Sequence, residues 1–298
     1  METTSPQTGG TVLVLGGGGG RGAAQIGILR ALAERGIQPD ACVGTSVGAL
    51  NAAVVAALPL GEAVDTLELV WASPYTRAVF HSNPLRIAFN RLRGRSWAGG
   101  DGAIGDLVDF ATGTVGVQRF EELRLPLAIL VTDLVSGEPV TISRGPLRDP
   151  LRASCAIPFM YPPVRLGGRF YVDGGVTDNC SLSTAAAMNP SRIIAVDLTA
   201  EPAVATPRRW SEIFNRVTSV ALHARVRADF DRFSSHLPVT LICPRIAHRL
   251  GVADFTSLRD AARAAMEALL ATISPADGGL APGVFYLPLA TGESAGTV

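Results

Sequence analysis

A serine with a glycine two positions away on each side stands at residues 44–48, where the chain reads GTSVG. This matches G-x-S-x-G, the pattern of a serine nucleophile on a sharp turn from a strand into a helix. Gly44 and Gly48 fit such a turn because a side chain on either would obstruct the backbones that pass beside it. The same residue types occur in ordinary turns, but an apolar strand precedes this one and an apolar helix follows it. The pattern therefore predicts that the hydroxyl of Ser46 is a nucleophile.

A serine nucleophile needs a base, and the best candidate is Asp173 in RFYVDGG. Asp173 ends a predicted strand, and the two glycines after it let another group approach closely. The carboxyl ends of parallel strands meet at one edge of a sheet, so Asp173 and Ser46 are expected to lie together there. An aspartate with an ordinary pKa of about 3.9 is a weak base. We therefore expect an apolar, partly closed cleft that raises the pKa of Asp173.

The other candidate bases have a less suitable setting. Asp197 also ends a predicted strand and is the fallback carboxylate. No histidine stands at a glycine-flanked strand end, and surface or helix-face positions are expected for all of them. The histidines are His81, His223, His236 and His248.

A run of glycines, residues 16–20, separates the first predicted strand from the first helix. Gly17, Gly19 and Gly22 match G-x-G-x-x-G, which in a dinucleotide-binding fold holds a pyrophosphate at a helix N-terminus. That fold also needs an acidic residue at the end of the second strand, where this chain has GTSVG. A phosphate-binding loop of the G-K-[ST] type is excluded because the sequence contains no lysine. Nucleotide binding is therefore disfavoured.

Composition narrows the function classes further. All 26 basic residues are arginine and balance 26 acidic residues, so the net charge is zero and the chain has no basic field to hold nucleic acid. The absence of lysine removes Schiff-base and Ser-Lys chemistry. The four cysteines are far apart and the acidic residues form no calcium-type loop, so neither a metal nor a cofactor is expected. The N-terminus lacks a signal-peptide pattern and no long apolar span is present, which predicts a cytoplasmic protein.

Apolar strands alternate with amphipathic helices, which predicts an α/β fold of three layers with a mostly parallel central sheet covered by helices on both faces. Residues 11–200 form the predicted catalytic core, and a helix, strand and helix over residues 201–274 complete the same domain. Residues 1–10 and 275–298 are rich in Gly, Pro, Ala and Thr and are predicted to be flexible tails.

Five stretches resemble the bacterial patatin-like phospholipases and occur in the order found in that family. They cover roughly residues 11–200 and read GGGGGRG, GTSVGALNAA, TDLVSGEPV, RASCAIPFMYPPV and VDGGVTDN. The resemblance implies a lipid ester substrate and a catalytic dyad of Ser46 and Asp173. It also implies an oxyanion hole built from the backbone amides of Gly17, Gly18, Gly19 and Gly20, where side chains would block the approach of the acyl group. A broad carboxylesterase or lysophospholipase, and a catalytically silent regulator that binds a lipid or a partner protein, are the alternative functions.

Several neighbouring residues have two interpretations. Arg21 is a candidate contact for a lipid phosphate or an anchor of its own loop. Ser154 lacks flanking glycines and is interpreted as structural, and Asp178 and Asn179 are expected to hold the loop that carries Asp173.

Two arginine-rich segments bear on membranes and assembly. Within residues 75–116, a basic amphipathic stretch is interpreted either as an interfacial lid in transient contact with a membrane or as an ordinary surface helix; its arginines are Arg86, Arg91, Arg93 and Arg95. A second arginine-bearing helix has the same two interpretations, and a third is that it buries Trp210, Phe214 and Val217 against the core or a second subunit. The motifs leave the oligomeric state open.

Overall fold

The strands of the protein form one mixed sheet. The computed structural model describes residues 9–80, 100–158, 160–200, 210–246, 255–273 and 280–289. The strands are β1 Thr11–Leu15, β2 Ala41–Thr45, β3 Leu127–Asp133, β4 Pro139–Ile142, β5 Val164–Leu166, β6 Arg169–Asp173, β7 Arg192–Val196, β8 Val239–Arg245 and β9 Gly283–Pro288. Their order is β5-β6-β3-β2-β1-β7-β8-β9, and β4 pairs with β3.

Helices cover both faces of this sheet. They are α1 Ala23–Glu34, α2 Val47–Ala57, α3 Leu60–Ala72, α4 Pro74–Phe80, α5 Gly100–Val115, α6 Arg148–Ser154, α7 Leu182–Ala186, α8 Trp210–Phe233 and α9 Phe255–Ile273. Alternate residues of β1 explain the two layers, since Leu13 and Leu15 join the apolar cluster with α1, α2, α3 and α9 while Val12 and Val14 join the cluster with α7 and α8. The predicted three-layer α/β fold is confirmed.

The central strands are parallel and finish at one level. Leu15 at the end of β1 pairs with Gly44 on β2 and with Val196 on β7, so these three carboxyl ends share one edge. The strand β6 instead runs antiparallel to β3 and pairs Asp173 with Val131. Asp173 therefore reaches this edge through its pairing with β3. The expectation that it lies near Ser46 because it ends a parallel strand is wrong, since β6 is antiparallel.

Part of the predicted C-terminal tail is ordered. The segment GVFYLP forms β9, which pairs in parallel with β8 from Thr240↔Gly283 to Arg245↔Pro288. The prediction of a flexible tail from residue 275 is wrong for these six residues, because their apolar and aromatic side chains favour a strand. The glycines and prolines around them have the composition of a flexible tail, which is why the strand was not predicted. Residues 1–8 of the predicted N-terminal tail lie outside the described residues.

The second arginine-rich helix, α8, exposes two of the apolar side chains named for it. Trp210 is 86% exposed and Val217 is 62% exposed on α8, so neither is buried in the core. The side chain of Phe214 and the four arginines of the predicted lid lie outside the described residues, and the two interpretations of that segment both remain predictions. None of the described helices combines the length and the apolar character that crossing a membrane requires.

Candidate active site

Ser46 occupies the sharp turn between β2 and α2. Its backbone angles, a φ of 55° and a ψ of −130°, lie in a region that residues other than glycine rarely adopt. A Cβ on Gly48 would meet the carbonyl oxygen of Gly16 at 2.6 Å, and a Cβ on Gly44 would meet the backbone of Ala49 at 2.5 Å. The turn therefore closes only with glycine at both positions, and it points the Ser46 side chain to the carboxyl edge of the sheet.

The structure brings Ser46 and Asp173 together. The Ser46 hydroxyl donates a hydrogen bond of 2.7 Å to Asp173 Oδ2, and the two residues are only 6% and 5% exposed. Burial raises the pKa of Asp173 to about 6, although hydrogen bonds from the Ser46 hydroxyl and the Gly175 amide lower it. The predicted rise in this pKa is confirmed, and its cause is removal of the carboxylate from water.

A second serine fixes the backbone of the first. The Ser46 amide donates to Ser154 Oγ at 2.8 Å, and the Ser154 hydroxyl donates in turn to the carbonyl oxygen of Leu130 at 2.7 Å. Ser154 is the last residue of α6 and is fully buried. Its hydroxyl thus connects the strained turn to β3. This is a structural role, as interpreted from the sequence.

Separate hydrogen bonds hold the backbone around Asp173. Its amide donates to the carbonyl oxygen of Ala156 at 3.0 Å, and its own carbonyl oxygen accepts from the Thr132 hydroxyl at 3.0 Å. The amide of Asp178 donates to the carbonyl oxygen of Gly174 and closes the loop that follows. The Asp178 carboxylate accepts from the hydroxyls of Ser181 and Ser183, so it joins the end of this loop to the start of α7.

Asn179 holds the glycine loop and also lies against the loop of Asp173, since a Cβ on Gly175 would be 2.7 Å from Asn179 Oδ1. Its side-chain NH₂ group donates to the backbone carbonyl oxygen of Gly17, and its backbone carbonyl oxygen accepts from the Gly17 amide, both at 3.0 Å. A Cβ on Gly17 would lie 2.6 Å from Asn179 Oδ1 and 3.0 Å from Ser46 Cβ. Gly17 is thus the point at which the loop passes the nucleophile, and its amide is already committed.

The remaining glycine amides are differently placed. In the part of the chain that the structure describes, the amides of Gly18, Gly19 and Gly20 have no hydrogen-bond acceptor. Gly19 has a φ of 57°, which favours glycine. The Arg21 amide and Arg21 Nε both donate to the carbonyl oxygen of Gly18, at 3.2 and 3.4 Å, so Arg21 contacts its own loop.

A buried polar network that sequence reasoning missed supports the same loop. Gln25 donates to the carbonyl oxygen of Gly16 at 2.8 Å and accepts from the Asn51 amide at 2.8 Å. Asn51 also accepts from Trp71 Nε1 at 3.0 Å. The available signal was two amide side chains inside otherwise apolar helices, since buried polar groups almost always have partners.

The other candidate bases pair elsewhere. Asp197 Oδ2 lies 2.6 Å from Nδ1 of His223, whose Nε2 lies 3.2 Å from the hydroxyl of Tyr286. His236 contacts Ser235, and His81 and His248 lie outside the described residues. Burial raises the pKa of all four cysteine thiols, which argues against a thiolate nucleophile. Asp197, His223 and Cys243 are the group of described residues that could hold a metal ion.

Comparison with known proteins identifies the family of this chain. A family model described as patatin-like phospholipase matches residues 13–186, a range that contains Ser46, Asp173 and the glycine loop. The chain belongs to the patatin-like phospholipase family.

Among patatin-like relatives, an uncharacterized NTE family protein of Mycobacterium tuberculosis is 34% identical over 211 residues, which are 69% of this chain and 54% of the relative. Patatin-like phospholipase domain-containing protein 7 of Rattus norvegicus is 32% identical over 188 residues, 62% of this chain and 13% of that protein. The chain thus spans about half the length of the mycobacterial relative and a small part of the rat one.

Solved structures with a detectable likeness are more distant. VipD from Legionella pneumophila aligns with a TM-score of 0.40 at 15% identity, over 91% of this chain and 57% of VipD. ExoU from Pseudomonas aeruginosa, solved in complex with SpcU, aligns with a TM-score of 0.36 at 16% identity, over 76% of this chain and 53% of the matched chain. Membership of the patatin-like family rests on the family model.

Replacing Ser154 tests the support of the turn. Ser154→Ala leaves the buried amide of Ser46 without an acceptor and the Leu130 carbonyl oxygen without this donor, which is expected to cost about 1–3 kcal/mol of unfolding free energy. Urea unfolding measures this loss. The exposed Ser183 makes only longer side-chain bonds, of 3.1 and 3.3 Å, so Ser183→Ala is the control and should stay within about 0.5 kcal/mol of wild type. Equal stability of the two variants would contradict the role given to Ser154.

Proposed function

We propose that the protein is a lipid acyl hydrolase in which Ser46 is the nucleophile and Asp173 the general base. The 2.7 Å hydrogen bond between Ser46 Oγ and Asp173 Oδ2 carries this proposal. The bond joins a serine in a strained turn to a carboxylate with a raised pKa, which is the combination that activates a hydroxyl group.

The reaction would proceed through an acyl-enzyme. Ser46 Oγ attacks the ester carbonyl carbon while its proton passes to Asp173, and the tetrahedral intermediate collapses as the leaving alcohol takes that proton. A water molecule then attacks the acyl group and gives a proton to Asp173. Ser46 recovers its proton when the fatty acid leaves, so the same carboxylate acts as base and acid in both halves.

The amides of Gly18, Gly19 and Gly20 are the candidate donors to the developing oxyanion. They lie in the loop whose preceding residue, Gly17, passes beside Ser46, and no described acceptor occupies them. The amide of Val47 at the N-terminus of α2 is a further candidate, since the residue after a serine nucleophile commonly donates here. One such donor typically contributes about 3 kcal/mol to lowering the barrier. In this proposal the Gly17 amide positions the loop and does not donate to the oxyanion. The oxyanion hole then uses three of the four glycines that the resemblance implies.

Burial of Asp173 explains how a carboxylate performs this task. A pKa of about 6 leaves the group ionised near neutral pH but makes it a stronger proton acceptor than an exposed aspartate. No histidine is required, because the partner of the Ser46 hydroxyl is the carboxylate itself.

The substrate class follows from the family rather than from the dyad. Phospholipid or other lipid esters are the proposed substrates, with transient contact at a membrane surface and Arg21 as a candidate contact for a lipid phosphate. Four free cysteines fit a reducing compartment such as the cytoplasm. The intact hydrogen bond between Ser46 and Asp173 argues against a silent regulator, and a broad carboxylesterase or lysophospholipase would use the same machinery.

Hydrolysis of a lipid panel by the purified protein tests the proposal. Ser46→Ala should lower kcat/KM for ester hydrolysis by about 10⁴-fold or more, because no nucleophile remains. Asp173→Asn should lower it by about 10²–10⁴-fold, because the base is lost. Asp231→Asn removes an exposed carboxylate from α8 and is the control with wild-type activity. Near-full activity in Asp173→Asn with intact circular dichroism would refute the dyad, and activity on short soluble esters alone would favour the carboxylesterase.

The pH dependence of kcat/KM tests the raised pKa. Only the ionised form of Asp173 accepts a proton, so activity should fall about tenfold per pH unit below a midpoint near pH 6 and level off above it. The folded-state pKa lies above the unfolded value, so ionising Asp173 also costs stability as pH rises through this range. Initial rates on a soluble ester give the profile, with Asp231→Asn as the control that keeps it. A midpoint near pH 4 would show that Asp173 is not desolvated in the working enzyme.

A further inference from the structure

A second polar cluster lies beside the glycine loop and has no role in the proposed reaction. Asp197 follows β7, His223 lies on α8 and Cys243 lies on β8, and their ligand atoms are all within 4.8 Å of one another. We propose that these three side chains bind one zinc ion. Sequence spacing gave no indication of such a site because the ligands come from three separate segments.

Neighbouring groups orient Asp197 and His223 as metal ligands would require. Asp197 Oδ1 accepts from the Thr199 amide at 2.9 Å and from its hydroxyl at 2.5 Å, so Oδ2 is the oxygen that faces the cluster. The hydroxyl of Tyr286 lies 3.2 Å from His223 Nε2 and can accept its proton, which leaves the Nδ1 lone pair directed at the same point. Fixing a ligating histidine through its other nitrogen is the usual second layer of a metal site.

Cys243 gives the independent indication. Its side chain is fully buried, and within the described parts of the chain its sulfur has no hydrogen-bond partner. The neighbouring thiol of Cys180 differs, because it donates to the carbonyl oxygen of Val196 at 3.8 Å. The sulfur of Cys243 is therefore a buried, unpaired polar group that faces the carboxylate and the imidazole.

The donor set selects the metal. Sulfur, nitrogen and oxygen from Cys, His and Asp suit zinc and not magnesium or calcium, which prefer oxygen alone. Zinc bonds of about 2.0–2.3 Å in a tetrahedron place ligand atoms roughly 3.3–3.8 Å apart. The 2.6 Å separation of Asp197 Oδ2 and His223 Nδ1 must then widen by about 1 Å, while Cys243 Sγ, which lies within 4.8 Å of both, closes by no more than about 1.5 Å. The thiol proton leaves to solvent, and a water molecule completes four-coordination.

Without a metal, a hydrogen bond from His223 to Asp197 explains two of the three residues. Such a pair would hold α8 to the sheet, since His223 is only 20% exposed at its side chain. In that case Cys243 serves only as a small core residue in the apolar cluster around β8. The zinc site accounts for all three groups, and its place in the fold is next to Leu198, whose side chain lies against the Cα of Gly18. The proposed ion would thus join β7, β8 and α8 behind the glycine loop, independently of the ester chemistry.

Metal binding by the full chain tests this site directly. Protein freed of metal with a chelator and then dialysed against zinc should retain one zinc per chain by elemental analysis. Cobalt(II), used as a spectroscopic probe, should give tetrahedral d–d bands and a thiolate-to-metal charge-transfer band. His223→Ala and Cys243→Ala should each weaken zinc binding at least tenfold, and Cys243→Ala should remove the charge-transfer band. Cys42→Ala, which removes a fully buried thiol on β2, is the matched control and should retain both.

Either of two results would overturn the proposal: less than half an equivalent of retained zinc, or a charge-transfer band that survives Cys243→Ala. Circular dichroism checks that each variant is folded. If Cys243→Ala does not fold, unchanged zinc affinity in His223→Ala refutes the site by itself.

Discussion

The site depends on keeping a serine hydroxyl against a carboxylate that has been removed from water. Asp173 has no cationic partner in this bond, so its charge is costly and its pKa rises. The turn at Ser46 must also maintain a backbone conformation that serine disfavours. Both costs are tolerated because surrounding groups leave no alternative: Ser154 holds the Ser46 amide, and Ala156 and Thr132 hold the backbone of Asp173. Strain and desolvation are thus located where the chemistry is proposed to occur.

The glycine loop divides into a fixed and an available part. Gly16 and Gly17 are held by Val196, Gln25 and Asn179, so this half cannot move away from Ser46. The following amides, from Gly18 to Gly20, are without described acceptors. A Cβ on Gly18 would lie 2.7 Å from Leu198 Cβ, and one on Gly20 would be in tight contact with the Phe255 ring at 3.0 Å. Gly19 has little around it but a φ of 57°. Close packing and this conformation account for the glycines, and the amides without described acceptors account for the proposed use of the loop.

The sequence predicted the fold class, the proximity of Ser46 and Asp173 and the direction of the pKa shift, because apolar periodicity and glycine spacing are local signals. It did not predict which strand pairing places Asp173 beside Ser46, because the antiparallel pairing of β6 with β3 joins residues that are far apart in the sequence. It also did not predict that Asn179 holds the glycine loop, because its partner Gly17 is 162 residues away. β9 was missed because its partner β8 is also distant and its flanks have the composition of a tail. Strand pairings and hydrogen bonds between residues far apart in the chain give no local pattern, so a single sequence does not reveal them.

Family membership, the strained turn and the buried carboxylate support one central claim, which is that the Ser46 hydroxyl is activated for covalent attack. Labelling with a fluorophosphonate ester, followed by mass spectrometry of the proteolytic peptides, tests it most directly. One adduct per chain is expected on Ser46, formed rapidly in wild type and much more slowly in Asp173→Asn. An unlabelled Ser46 in folded protein, or an adduct on another residue such as Ser154, would contradict it.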